Sequence, residues 1–507
     1  MHTQDARDET AAPASYSKAQ SIGLVLGPLL FGLTLLLFAP EGLSFEARAV
    51  LATTLWVAVW WITEAIPIPA TSLLPIFLLP VTGALDVGTV TSAYGDDIIF
   101  LFLGGFFIAT AMEKWNLHKR IALAIIAFVG TSTQRILLGF MIATAFLSMW
   151  VSNTASVMMM VPMALAITAQ VAHSLQGKPE AGDIPVFEKA LIFGVGYAGT
   201  IGGLGTLIGT PPNIILAAQA RQLFDVDITF ASWMMIGVPV VIILLSIAWI
   251  YLGRVAFRIS IKGLPGGRAL IQQERHALGR IGFEEKAVAM VFSFAAFMWI
   301  TRGFIWTDLL PQITDGMIAV VAAVLLFVIP TSAGKASRVL NWQDSINIPW
   351  GILLLFGGGL AIAAGFRGTG LSEWMGTQLT VLESFHLMII IASATLLILF
   401  LTEITSNTAT ATMIIPVVAA LALALEIHPF ALMIPCAMAA NCAFMLPVGT
   451  PPNAIIFATN KLSILEMVKT GFAMNVIASL LIVMAVYFLV PVIWGLDLTS
   501  VPAAFRL

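Results

Sequence analysis

Ser152-Asn153-Thr154-Ala155 and Ser406-Asn407-Thr408-Ala409 are one word written twice, and each reaches a proline at the same distance, Pro162 and Pro416. The interval is 254 residues in every case. A second word follows each copy: Gly209-Thr210-Pro211-Pro212-Asn213 recurs as Gly449-Thr450-Pro451-Pro452-Asn453. A fainter echo precedes them, Phe102-Leu103-Gly104-Gly105 against Leu355-Phe356-Gly357-Gly358. The chain reads as a duplication. Both triplets lie inside long apolar runs, where hydroxyl and amide groups are costly unless partnered. The most polar part of each copy therefore sits at membrane depth.

Composition fixes the medium. Of 507 residues, 59% are hydrophobic and only 10% charged, with a mean hydropathy of +0.98. Too few charges are available to solvate a globular surface, so the chain is an all-α integral membrane protein. A net charge of -3 gives no reason to invoke nucleic acid. Cys436 and Cys442 share one apolar segment and read as small core residues.

Residues 1–19 are polar and have no signal-peptide core, so the apolar stretch from Ile22 to Phe38 is a retained first span. Further spans are expected near 48–63, 69–85 and 96–113, followed by a basic loop with Lys114, His118, Lys119 and Arg120. A charge-free run from Gly139 to Thr168 then carries the first triplet. Next come a span over 190–220 broken by the first GTPPN and a long span at 230–253. After a hydrophilic stretch at 254–286 the pattern restarts, with spans near 287–301, 315–330 and 349–366. The run from Leu387 to Leu425 holds the second triplet, 429–458 is broken by the second GTPPN, and the last span lies at 471–494.

If each triplet run enters and leaves on one side as a re-entrant hairpin, nineteen lysines and arginines fall on one side and five on the other. The larger set runs from Arg7 and Lys18 through Arg254 and Lys286 to Lys469; the smaller is Arg48, Arg221, Arg302, Arg367 and Arg506. The positive-inside rule then makes the N-terminus cytoplasmic in a multi-pass plasma (inner) membrane protein. The two halves come out opposite in orientation, the inverted-repeat architecture of secondary transporters.

A single small polar residue in a membrane helix is commonly packing glue. Matched triplets paired with matched breaks favour a binding site. Each proline pair removes amide donors and keeps the preceding residue out of the α region, so GTPPN should unwind its span and free backbone carbonyls. Carbonyls with Ser, Thr and Asn oxygens suit an alkali cation, while freed helix N-termini suit an anion. Neither word has a Lys, Arg or His beside it, so bound cations would have to offset the charge of an anion. Gly202, Gly203 and Gly205 read as close helix packing. No GxxxxGK[ST] phosphate loop and no H-E-x-x-H occurs, and Ser152 and Ser406 have no nearby base, so nucleotide-driven transport and intramembrane hydrolysis are disfavoured. Glu403 sits beside the second triplet where the first has Met149; bracing is the expected role, a proton carrier the alternative. Glu64 and Asp96-Asp97 read as interfacial caps.

These words, with Ile62-Thr63-Glu64-Ala65-Ile66-Pro67 and Leu401-Thr402-Glu403, make residues 20–495 resemble the divalent anion:sodium symporter family, which includes sodium-dependent dicarboxylate and citrate carriers. The resemblance implies eleven spans and two re-entrant hairpins, a scaffold that homodimerises, and a transport domain moving as an elevator. It divides the chain into a tail (1–19), a first helix with the scaffold part of repeat 1 (20–135), and the transport part of repeat 1 (136–257). A cytoplasmic loop (258–285), scaffold part of repeat 2 (286–385), transport part of repeat 2 (386–495) and C-terminal tail (496–507) follow. Carried over by position, Ser152, Asn153, Thr154, Ser406, Asn407 and Thr408 would hold the two carboxylates of a substrate, with Thr210, Pro211, Thr450 and Pro451 lining the pocket. One sodium would bind Ser148, Ser152, Asn153 and the Gly209 backbone, a second Thr402, Asn407 and the Gly449 backbone. The expected activity is import of C4-dicarboxylates (succinate, malate, fumarate) by symport with at least two sodium ions. Sodium-independent exchange, proton coupling, or citrate or sulfate as substrate are the alternatives.

Overall fold

The computed structural model describes residues 16–130, 132–176, 179–259, 267–332, 334–378, 385–502 and 505. The polar tail expected at 1–19 lies outside these except for its last four residues. The fold is almost wholly helical. Among the described residues, ten helices are long and apolar enough to cross a membrane.

α1 (Lys18–Leu37) begins at a capping box, Ser17 and Gln20 each accepting the other's backbone N–H. It packs against α2 (Phe45–Thr63), where Trp60 Nε1 donates to Gly23 O at 2.9 Å. The span expected at 69–85 is instead two short helices, α3 (Ile68–Thr71) and α4 (Leu74–Val81). Pro75 cannot donate to the carbonyl a turn earlier, and the helix breaks there. α5 (Val87–Ala93) leads to α6 (Asp97–Lys114), whose N-cap Asp96 accepts the Ile98 N–H at 2.9 Å, the capping role expected of it.

The loop expected after Lys114 contains a further helix, α7 (Leu117–Val129), with Leu117, Ala122, Leu123 and Ile126 on its buried face. It is followed by the first hairpin, α8 (Thr133–Ser148) and α9 (Asn153–Ser174). α10 (Ile184–Gly203) and α11 (Pro211–Phe224) are the two parts of the broken span, and α12 (Phe230–Ile250) closes the first half. The hydrophilic stretch also holds a helix, α13 (Gly267–Ala277), tied to α7 by Lys119–Glu274 at 3.0 Å.

The second half follows the same order. α14 (Phe283–Thr301), the short α15 (Thr307–Leu309) and α16 (Asp315–Val328) precede a small hairpin of β1 (Pro330–Thr331) and β2 (Gly334–Arg338). α17 (Trp350–Gly368) and α18 (Leu371–Gln378) correspond to α6 and α7; Leu371 stands 254 residues after Leu117. The second hairpin is α19 (Leu387–Thr402) and α20 (Asn407–Ala424), the second broken span α21 (Phe430–Asn441) and α22 (Pro451–Phe457). α23 (Ile464–Met484) and α24 (Val490–Trp494) end the fold. α21 is buried along its whole length and α10 without a break from Ala190 to Gly203, and both contribute carbonyls to the site.

Candidate binding site

Both triplets lie at the turns of their hairpins, and each opens a helix. Ser152 is the N-cap of α9 and accepts the Ala155 N–H at 3.2 Å; Ser406 is the N-cap of α20 and accepts the Ala409 N–H at 3.5 Å. Thr210-Pro211 and Thr450-Pro451 likewise begin α11 and α22, with proline at the first helical turn where its missing N–H is harmless. Four helix N-termini thus meet one cavity of about 750 Å³, and all ten residues expected to contact substrate line it. Its wall also includes Gly209, Gly449, Asn441 and Phe102. Ser17, Gln20 and Glu64 also line it; Glu64, expected as a cap, is the C-cap of α2 in a left-handed conformation with φ +49°. Among the described residues, no lysine, arginine or histidine lines the cavity. Positive potential there comes from helix ends and free backbone amides.

Behind each tip is a cup of oxygens. Ser148 Oγ lies 2.5 Å from Asn153 Oδ1 and 2.6 Å from Gly199 O. Asn153 Oδ1 faces only acceptors here, with Gly199 O and Gly209 O each at 3.2 Å, a crowding of oxygens that a cation would satisfy and that turning the amide over would otherwise relieve. In the second copy, Thr402 Oγ1 lies 2.6 Å from Asn407 Oδ1 and 2.8 Å from Ala440 O. Each hydroxyl has one proton for two close acceptors, so each cup holds more lone pairs than hydrogens to fill them. That surplus of hard oxygen is the chemistry of an alkali-cation site, and the residues present fit it. The members Ser148, Asn153, Gly209, Thr402 and Asn407 were expected. Ser152, expected beside them, instead has its hydroxyl on its own helix. Gly449 adjoins the second cup through Glu403, whose Oε2 would stand 3.0 Å from a Cβ placed there.

The breaks are held open by the asparagines of the two GTPPN words. Asn213 Nδ2 donates to Gly203 O at 2.9 Å and Thr206 O at 2.8 Å; Asn453 Nδ2 donates to Ala443 O at 3.1 Å and Leu446 O at 3.0 Å. Those four acceptors correspond pairwise, seven and ten residues before each asparagine. Both asparagines are fully buried. Glycine 203 supports the reading of close packing and gives it a purpose, since a Cβ there would lie 2.5 Å from Asn153 Oδ1.

Glu403 has no counterpart in the first copy. Its carboxylate accepts the N–H groups of Phe444 at 2.8 Å, Met445 at 3.0 Å and Leu446 at 3.0 Å, and Asn475 Nδ2 at 2.7 Å. Four donors converge on this buried carboxylate and fix the loop after α21. This is bracing geometry. In the first copy Thr206 does the equivalent work, donating to Met149 O at 2.5 Å and accepting the Gly209 N–H at 3.1 Å.

Three members of the site carry no sequence signal of their own: the carbonyls of Gly199 and Ala440, and the side chain of Asn441. Asn441 Oδ1 accepts from Thr210 Oγ1 at 2.6 Å and from Asn153 Nδ2 at 3.3 Å, and its Nδ2 donates to Thr200 O at 2.7 Å. Cys436 and Cys442 are buried free thiols, the core role read for them.

Comparison with known proteins agrees with this geometry. The sodium:sulfate symporter transmembrane region matches residues 18–496. The sodium-dependent dicarboxylate transporter SdcS of Staphylococcus saprophyticus is 55% identical over 490 residues, 96% of this chain and 94% of that protein. Its Staphylococcus aureus namesake is 54% identical over the same extent. In fold, the chain resembles the YdaH transporter of Alcanivorax borkumensis (TM-score 0.56, 13% identity, 87% of this chain and 98% of that one). It also resembles Neisseria gonorrhoeae MtrF (TM-score 0.52, 12% identity, 92% and 93%). With paired words, paired cups and a family match over nearly its whole length, this chain is a transporter and not an enzyme, and it belongs to the sodium:sulfate symporter (divalent anion:sodium symporter) family.

Proposed function

We propose that this protein imports C4-dicarboxylates such as succinate, malate and fumarate across the plasma membrane by symport with sodium, at least one ion in each cup. The observation that carries the reading is the pairing of two proton-poor oxygen cups with one shared cavity that has no basic side chain among its described lining residues. A dianion held there needs its charge offset, and cations seated behind the tips supply it. Each tip offers a carboxylate the hydroxyls of the triplet and the N-terminal dipole of α9 or α20.

In this mechanism sodium binds first, drawing Asn153 and Asn407 into their cups and fixing the hairpin turns. The dianion then joins both tips, and only the charge-compensated carrier crosses, as an elevator of the two hairpins and broken helices against a scaffold that homodimerises. Two sodium ions neutralise a dianion; each further cation couples to the membrane potential at about 2.3 kcal/mol per 100 mV. An inward-facing state is supported by the lining of the cavity mouth, since Ser17, Gln20, Glu64 and Pro349 all belong to ends that the lysine and arginine distribution assigns to the cytoplasm. The four donors on Glu403 commit it to bracing the loop after α21, which leaves the coupling to the two oxygen cups.

The test is succinate uptake into proteoliposomes under an imposed sodium gradient. Uptake should follow the inward gradient and vanish when sodium is replaced by choline on both sides. Equal uptake with choline would remove symport.

A further inference from the structure

Asn441 is fully buried at the last turn of α21 and touches both copies of the site. Its side chain holds three groups of the first copy: the Thr210 hydroxyl at 2.6 Å, the Asn153 amide at 3.3 Å and the Thr200 carbonyl at 2.7 Å. Its backbone nitrogen belongs to the same peptide plane as Ala440 O, the carbonyl of the second cup that lies 2.8 Å from Thr402 Oγ1. One rigid amide plane therefore separates an oxygen of the second cup from the residue that holds the Asn153 side chain of the first.

The surrounding geometry is arranged for this link. Thr450 spends its hydroxyl on capping α22, accepting the Asn453 N–H at 3.3 Å. Thr210, at the matching position, makes no such cap and turns to Asn441 instead. The first copy gives up that cap bond for one that crosses between the halves. The residue matching Asn441 is Ile201 at the interval relating the two GTPPN words and Thr200 at the interval relating the cup carbonyls Gly199 O and Ala440 O, and neither has a side-chain amide. The link is single, and it lies between the copies.

Resting on the sodium-symport reading above, we infer that Asn441 is a positioning residue that couples the two cups, so that a cation in either one orders the other. A cation drawing on Ala440 O fixes the end of α21, and with it Asn441 Oδ1, Thr210 and the Asn153 amide. The second cation then enters a cup already ordered, and occupancy becomes cooperative.

The experiment is a sodium titration of succinate uptake by the full-length protein in proteoliposomes, with thermal stability of each purified variant measured without sodium. Wild type should give a Hill coefficient above one. Asn441→Ala should bring it close to one and raise the half-saturating sodium concentration by about 5-fold or more, and Asn213→Ala, which also loses buried side-chain bonds but does not link the cups, should be destabilised without losing its Hill coefficient. Asn441→Asp, which keeps an acceptor oxygen for Thr210 and Asn153, should retain a coefficient above that of Asn441→Ala. A wild-type coefficient in Asn441→Ala, whatever the change in maximal rate, overturns the inference. Should that variant fail to fold, Thr210→Val and Thr450→Val decide: only the first should lower the Hill coefficient, and equal behaviour of the two overturns the coupling. Wild-type uptake that ignores sodium overturns the symport reading as well, whereas sodium-dependent wild-type uptake with an unaltered Asn441→Ala coefficient removes the coupling alone.

Discussion

The two copies of the site agree wherever an oxygen faces the cup and differ wherever the cup is braced. Ser148 and Thr402 place a hydroxyl at one position, Asn153 and Asn407 a side-chain amide at another, and Asn213 and Asn453 tie matching carbonyls. Around them, Met149 stands where Glu403 does, the first copy has no asparagine where the second has Asn441, and Thr210 bonds across the halves while Thr450 caps its own helix. Ligand chemistry restricts the cup members to small hard oxygens, and the repeated proline breaks call for the same asparagine tie in both copies. The second group only has to hold a loop in place, which a carboxylate with four donors or a threonine with two bonds can each achieve. The duplicated parts should therefore fail alike, and the divergent parts should fail separately.

The sharpest way to break this comparison is to remove one cup at a time. Asn153→Ala and Asn407→Ala should each lower succinate uptake by roughly 100-fold or more, since each deletes a cup oxygen and leaves the neighbouring hydroxyl and carbonyl of a buried site mispaired. Both proteins should remain folded by size-exclusion chromatography. Near-normal uptake in either would return its triplet to the role of packing glue.

Glu403→Gln comes next, and it should damage one cup only. Glutamine keeps one acceptor but turns an amide group toward N–H donors of Phe444, Met445 and Leu446. Losing a charge-assisted contact costs about 1.5–3 kcal/mol, so half-saturating sodium should rise roughly 10-fold or more while the pH dependence of uptake is unchanged. Met149→Gln, at the matching place, should have far less effect. A flattened pH profile in Glu403→Gln would instead make this carboxylate a proton carrier.

Asn213→Ala and Asn453→Ala sharpen the comparison from the duplicated side. Each leaves one carbonyl, Gly203 O or Ala443 O, without this donor, at about 1–3 kcal/mol for an unsatisfied group, while Thr206 O and Leu446 O keep the Gly209 and Gly449 N–H groups, and the two variants should lose thermal stability to nearly the same degree. A clear inequality would mean that the breaks differ in what holds them, despite their matched bonds.

How far the sequence revealed this arrangement follows from the same division. The triplets and GTPPN words were legible because polar side chains and proline pairs inside apolar runs have few reasons to be there. Gly199 and Ala440 were not, because they contribute carbonyl oxygens, which every residue has. Asn441 was hidden for the opposite reason: neither Thr200 nor Ile201 at the matching place is an asparagine, so a search for repeated words passes over it. α7 and α18 escaped because they are amphipathic and too short to register as apolar runs, although Leu117 and Leu371 stand at the 254-residue interval. The expected span at 69–85 failed on prolines within an otherwise apolar stretch. Glu403 was noticed for its charge, but only the fold could supply its four donors.

The smallest effect concerns the loops that close the two hairpins. In the second copy, His428 is buried between α20 and α21 beneath the C-terminal segment, its backbone N–H on Leu498 O at 3.1 Å and its ring 4.5 Å from that of Phe505. Ser174 is its match in the first copy, so nothing titrates there. Burial lowers the His428 pKa from 6.5 to about 4, with Asp497 partly opposing, and Nδ1 accepts the Phe430 N–H at 3.1 Å, which only a neutral ring can do. The unfolded chain takes up this proton near pH 6.5 and the folded chain only near 4, so the contribution is constant above 6.5 and stability falls as the pH drops through that window. The slope cannot exceed about 1.4 kcal/mol per pH unit, and it vanishes at neutrality. Melting curves of wild type and His428→Asn, which keeps an acceptor for Phe430, should converge above pH 6.5 and separate below it, with wild type losing more; parallel curves throughout would mean that this histidine is not what distinguishes the two loops.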